Sequence, residues 1–333
     1  MNRDRARDLD RVPHGGSTAD AIDFSANVNP RTPPGVEMVF ERALDRAQSY
    51  PAEPPDRFRH AAARAVDVRP DQVVPTPGGL AAIRLTIALA IEAGDRALVP
   101  APSFGEYARE VRLQDGRVAR RRPAALLDTD PEPYALAVVG RPNNPTGWCP
   151  DRDRLAAFVE RCRAAGTLVL VDEAFLGFTD RPTIAGTPGT VVARSLTKLY
   201  GLPGLRAGFV VATGEWREAL SSARRPWNVG APALAVGAHC LGRRTFVATT
   251  RERVRSERRR LHAALDDRFT VSPSTAPFVL FEVPGSVDDL IATARERGVI
   301  VRDARSFEGL DSHVRVAIRT PDANDRLLEA LDA

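Results

Sequence analysis

Five short apolar runs, at 97–99, 136–139, 168–171, 191–193 and 208–211, are separated by longer segments that carry polar and charged residues. Strands buried on both faces read as nearly continuous apolar runs, and parallel neighbours need a crossover between them, usually a helix. The alternation therefore predicts an α/β fold with a mainly parallel sheet between helices. Helices are expected at 80–92 and 151–165. From about 232 the apolar spacing predicts one long arginine-rich helix to about 266, followed by strands near 278–283, 299–302 and 314–318 in a smaller α+β unit. Residues 1–30 are polar and broken by Pro13, Gly15, Gly16 and Pro30, so they read as an arm lying on another surface. The expected organisation is an arm at 1–30, a large unit at 31–220 and a small unit at 221–333.

Among 47 lysines and arginines the chain has a single lysine, Lys198. Arginine replaces lysine readily on a solvated surface, but guanidinium does not deprotonate in a protein and forms no Schiff base. A lysine kept where all others are arginine points to chemistry that requires a primary amine. Its surroundings read Ser195-Leu196-Thr197-Lys198, with Arg206 and Gly208 downstream. A hydroxyl and a guanidinium flanking an amine at short offsets can hold an anion beside the nucleophile.

This segment resembles the lysine region of the fold-type I, pyridoxal-phosphate (PLP) dependent aminotransferase family. The resemblance implies the PLP-dependent transferase fold, with a large domain built on a mainly parallel sheet and a smaller α+β domain. It implies a Schiff-base lysine at Lys198 and phosphate ligands at Ser195 and Arg206. Other segments match in the family's order. Thr76-Pro77-Gly78-Gly79-Leu80 opens a helix, and the amides of Gly79 and Leu80 would hold the phosphate. Phe104 would stack on the pyridine ring, with Tyr107 as a substrate-side candidate. Asn144, in Arg141-Pro142-Asn143-Asn144-Pro145-Thr146-Gly147, would donate to the phenolic oxygen. Asp172, at a strand end, would pair with the ring nitrogen, while Glu173 serves structure. Phe175 stands where many aminotransferases have a tyrosine. Tyr50 resembles the family's tyrosine that reaches the phosphate from a neighbouring subunit, which implies a homodimer with shared sites.

Arg315 aligns with the family's substrate-carboxylate arginine, and Arg302 with an anion-binding arginine of members that act on phosphorylated amines. His14-Gly15-Gly16 and the stretch Asp23-Phe24-Ser25-Ala26-Asn27-Val28-Asn29-Pro30 resemble the decarboxylases of L-threonine O-3-phosphate used in cobalamin assembly. That resemblance implies a small phosphorylated amino-acid substrate. Arg302, Arg319, His14 and the amides near Gly15 would receive its phosphate, and Asn29 and Arg315 would hold its carboxylate side. Aminotransferases of histidinol phosphate or another amino acid share most of these motifs and are the alternative.

Composition excludes other classes. A net charge of +4 and a pI near 9.3 raise the question of nucleic acid, but 43 acids are interspersed with the arginines. The clusters Arg120-Arg121-Arg122 and Arg258-Arg259-Arg260 read as solvated faces, with no nucleic-acid motif beside them. No apolar run approaches the ~18 residues of a membrane span, and the start lacks the apolar core of a signal peptide. Cys149, Cys162 and Cys240 have no metal-ligand spacing and fit free thiols in a reducing cytoplasm. No metal is expected.

Overall fold

The structure is a computed structural model and describes residues 1–16 and 20–333. Its centre is a seven-stranded sheet in the order Val73–Thr76, Gly208–Val211, Thr190–Ser195, Leu168–Asp172, Leu136–Gly140, Arg96–Pro100, Arg117–Arg121. Gly208–Val211 runs antiparallel to both neighbours, and all other pairings are parallel. Successive side chains of a strand point to opposite faces, and here both faces are covered. Val138, Leu168, Leu170, Val191 and Ala193 face one core, while Val139, Val169, Val171 and Val192 face the other. Helix Gly79–Ala90 packs on the first of these faces, which explains why the runs seen in the sequence are apolar throughout.

All five apolar runs are strands, and the expected helices are observed at Gly79–Ala90 and Arg152–Ala164. The edge strand Arg117–Arg121 escapes an apolar-run reading because its residues are partly or fully exposed, and arginines there suit an edge that must not pair with another sheet. The expected single helix from 232 to 266 is instead two, Ala231–Leu241 and Arg244–Asp266, broken where Arg243 leaves helical geometry at φ −89° and ψ 62°. The first piece packs against helices Val36–Leu44 and Asp56–Val66, which precede the expected boundary at 220.

The smaller sheet is antiparallel, in the order Arg302–Asp303, His313–Ala317, Phe278–Glu282, Thr270–Val271. The strand expected at 299–302 is split between two pairings. Val299–Ile300 pairs in parallel with Ile22–Asp23, and Arg302–Asp303 pairs with His313–Ala317. Through the first pairing the early chain is anchored, with Phe24 fully buried and its carbonyl accepting the Ala317 amide. Before that point the arm lies on its own chain. Helix Arg3–Asp8 rests near Glu106–Leu113, held by Arg5 on Asp115 at 2.8 Å and by the Asn2 amide on the Leu113 carbonyl.

Candidate active site

In an open α/β sheet, loops at the carboxyl ends of parallel strands converge on a common crevice. Here Val73–Thr76 leads to Gly78-Gly79, Arg96–Pro100 to Phe104, Leu136–Gly140 to Asn144, and Leu168–Asp172 ends in the carboxylate itself. Thr190–Ser195 brings Ser195 and then Lys198 to the same edge. Because Gly208–Val211 is antiparallel, its amino end, just after Arg206, also falls there. A cavity of about 320 Å3 results, lined by Gly79, Leu80, Phe104, Asn144, Asp172, Ser195, Lys198 and Arg206. The other unit and the arm close it with Arg302, Arg315, His14 and Gly15.

The electrostatics of this cavity are set by burial. Lys198 is lowered from 10.5 to about 8, first by desolvation and then by Arg315 and Arg206, against the pull of Asp172. A substantial neutral-amine fraction therefore exists near neutral pH. Burial pushes the Asp172 carboxyl above its ordinary range, partly offset by hydrogen bonds from the Tyr107 hydroxyl at 2.6 Å and the Ala174 amide at 2.9 Å. Such a carboxylate is stabilised by a cation placed against it.

At one end of the cavity, Gly78 adopts φ +89°, a left-handed backbone that favours glycine, and a Cβ there would come within 2.8 Å of Arg206 Nη2. The helix that starts at Gly79 presents free amides beside Ser195 and Arg206. Ser195 and Thr197 hydroxyls lie 2.7 Å apart. Phe104 meets Tyr107 edge-on at 5.5 Å and His14 at 5.7 Å, so its ring forms one wall.

At the opposite end, Arg315 is buried. It donates to Asn144 Oδ1 and, at 2.7 Å, to the Ser25 carbonyl. Fixing Oδ1 in this way leaves Asn144 Nδ2 as the available donor. Burial and the neighbouring Arg302 lower Arg315 to about 9. Arg302 is held by the Pro13 carbonyl and Ser306, each at 2.8 Å, and His14 Nε2 lies 3.0 Å from Glu106. Two buried polar atoms of cavity residues, Asn27 Oδ1 and Arg315 Nε, have no hydrogen-bond partner among the described residues. An unpaired buried polar group is costly, so these atoms mark where a ligand's own donor and acceptor fit.

Three expected site residues do not line the cavity. Asn29 is buried, but its amide donates to the Leu199 carbonyl and Thr250 while its oxygen accepts from Arg253, which leaves nothing for a ligand. Asn27 lines the cavity instead. The two asparagines are two positions apart and share parity, so spacing could not separate them. Arg319 donates to the Asp23 carbonyl at 2.9 Å and covers Phe24, tying down the early chain. Tyr50 is 78% exposed and stacks on Trp227 at 4.4 Å, away from its own chain's cavity. Tyr107, expected on the substrate side, is largely buried, lines the cavity and donates its hydroxyl to Asp172. Glu173 is structural as expected, with its buried carboxylate accepting from Arg141, Arg194 at 2.8 Å, Thr183 and the Ile184 amide. Among the described residues no cluster of three metal-ligating side chains exists, and all three cysteines are free and buried.

An amine of lowered pKa, a carboxylate that needs a cation, a ring-sized aromatic wall and a glycine-opened helix beside Ser195 and Arg206 together fit PLP. Comparison with known proteins agrees. The sequence profile of aminotransferase class I and II matches residues 19–331. A histidinol-phosphate aminotransferase of Symbiobacterium thermophilum is 32% identical over 94% of this chain and 90% of its own. A threonine-phosphate decarboxylase of Salmonella typhimurium is also 32% identical, over 96% and 95%. In fold, the L-threonine-O-3-phosphate decarboxylase of Porphyromonas gingivalis superposes with a TM-score of 0.84 at 24% identity, covering 93% of this chain and 98% of that one. The chain thus belongs to the class I and II aminotransferase family, a fold-type I enzyme family whose cofactor is pyridoxal 5'-phosphate.

Proposed function

We propose that the protein decarboxylates L-threonine O-3-phosphate to (R)-1-amino-2-propanol O-2-phosphate and CO2, a step of cobalamin assembly. The observation that carries this reading is the pairing of Arg302 directly opposite Arg315 across antiparallel strands, with both residues lining the cavity. Like charges at opposed positions repel, and neither guanidinium has a carboxylate within ion-pair distance among the described residues. A small substrate with two anionic groups, a carboxylate and a phosphate, offsets both charges. Histidinol phosphate carries only the phosphate; the glutamate formed in its transamination carries two carboxylates, so the deciding readout is CO2.

When bound, PLP supplies an aldehyde for the substrate amine and a ring that accepts electrons released at Cα. The chain's own residues do the rest. Lys198, which lines the cavity, would supply the neutral amine for that aldehyde. Asp172, oriented by Tyr107 and the Ala174 amide, holds a proton on the ring nitrogen. Ser195, Arg206 and the amides of Gly79 and Leu80 bind the cofactor phosphate, Phe104 covers the ring, and Asn144 Nδ2 donates to its phenolic oxygen. Arg302, His14 and the Gly15 amide receive the substrate phosphate. Arg315 orients the carboxylate, and that orientation selects which Cα bond breaks, while Asn27 Oδ1 accepts from a substrate N–H. Tyr50 serves the phosphate of a second copy in a homodimer. Its exposed stack with Trp227 supports that role. The cytoplasm is the expected setting, and no described helix is long and apolar enough to cross a membrane.

The test offers L-threonine O-3-phosphate to the PLP-loaded protein without any oxo acid and quantifies CO2 and aminopropanol phosphate, with Lys198→Ala as control. Equal amounts of both products, absent in the variant, are expected. Transamination moves the amino group of a donor onto 2-oxoglutarate, which becomes glutamate, so production of glutamate from histidinol phosphate and 2-oxoglutarate, with no CO2, replaces this reading with transamination.

A further inference from the structure

A second cavity, of about 400 Å3, shares Ser195 with the active site and is also lined by Leu196 and Leu199, close to Lys198 in sequence. Four arginines line it, Arg64, Arg194, Arg244 and Arg251, against one carboxylate, Glu173. That carboxylate is already committed to Arg141 and Arg194. Arg251 donates to the Gly177 carbonyl at 2.9 Å and lies 3.6 Å from Asp180. Among the described residues, the side chains of Arg64 and Arg244 have no hydrogen bond and no ion pair.

The helix geometry adds to this positive field. Arg244 opens the 23-residue helix Arg244–Asp266, which has no acidic residue in its first turn and no side-chain cap. A helix N-terminus favours negative charge, so an arginine there is placed against the dipole unless an anion offsets both. Val247, from the same first turn, also lines the cavity. Two solvent-exposed guanidiniums without protein partners, from separate helices, and an uncapped helix start thus meet in one recess. Planar, multiply donating guanidiniums beside helix amides suit a tetrahedral oxyanion with several acceptor oxygens.

We infer that this recess is a second anion site, for a small phosphate-bearing ligand, distinct from the cavity that holds cofactor and substrate. The inference does not depend on which reaction the enzyme performs. It is tested by calorimetric titration of inorganic pyrophosphate into the PLP-loaded protein, its Arg64→Ala and Arg244→Ala variants, and Arg302→Ala. The expected result is a binding event that survives in Arg302→Ala and weakens at least tenfold in Arg64→Ala and in Arg244→Ala, while turnover of those two without pyrophosphate equals wild type. Isotherms of Arg64→Ala and Arg244→Ala that match wild type would overturn the inference, as would loss of all pyrophosphate binding in Arg302→Ala. Two variants on different helices keep the result readable should one fold poorly.

Discussion

The two ends of the active-site cavity are built differently. The end proposed for the cofactor is assembled from loops of one sheet, each adjoining a strand that is fixed by a two-sided apolar core. The end proposed for the substrate joins an arm, a two-residue strand and the smaller sheet, through side-chain contacts such as Arg302 on the Pro13 carbonyl and Arg315 on the Ser25 carbonyl. A rigid sheet can hold an amine and a carboxylate at fixed separation, whereas a composite end can change its receptor groups without disturbing the sheet. One family can therefore keep its cofactor chemistry and vary its substrate.

The largest expected effect removes the amine. Lys198→Ala should lower turnover on the order of 10^4-fold, the upper range for loss of a positioned proton-transfer or nucleophilic group, measured as product formed per unit time at saturating substrate. At the other end, Arg302→Ala should lower kcat/KM about 10- to 100-fold, as expected for losing a charge-assisted hydrogen bond, with cofactor affinity unchanged. Arg315→Ala should cross the boundary between the ends. It holds Asn144 as well as lining the substrate side, so its loss should weaken both substrate and cofactor binding. Equal loss of cofactor from Arg302→Ala and Arg315→Ala, followed by the cofactor's visible absorbance, would break the comparison.

Stability against pH tests the electrostatics of the cofactor end alone. Lys198 falls from 10.5 to about 8 on folding, so between those values the unfolded chain binds more protons and stability rises with pH. In cofactor-free protein, wild type should gain on Lys198→Met as pH rises from about 8 toward 10.5, by about 3 kcal/mol at most. Denaturant midpoints of the two proteins across that range measure the difference. A constant difference would mean the amine is not desolvated.

How much of this was legible in the sequence follows the same division. The five apolar strands and the residues just after them were readable because both faces of the sheet are buried, which writes continuous apolar runs followed by punctuating loops. The lone Lys198 was readable because arginine cannot replace an amine. The arginine-rich edge strand Arg117–Arg121 was not, since its exposed positions lack an apolar pattern. Nor was the break at Gly242-Arg243, where apolar spacing continues on both sides while the two helices pack on different neighbours. Asn27 and Asn29 differ only in what surrounds them in space, which local spacing does not encode. The same holds for Arg315 and Arg319, of which one lines the cavity and the other pins Asp23.

Tyr107 gives the smallest and most specific test. It was legible only as an aromatic three positions after Phe104, yet its hydroxyl donates to Asp172 from within the core. A hydrogen bond to the charged form of an acid lowers its pKa, so Tyr107→Phe should let burial push the Asp172 carboxyl higher still. The anionic form is the one that can stabilise a cation on the cofactor ring. The acidic limb of the kcat/KM profile should therefore move to higher pH in Tyr107→Phe, with turnover above that limb reduced by about tenfold or less, the range for one hydrogen bond. A residue that served packing alone would lower activity or stability without moving the limb, because phenylalanine fills nearly the same volume. An unmoved limb would assign Tyr107 to the core and leave the Ala174 amide as the only group among the described residues that tunes Asp172 by hydrogen bonding.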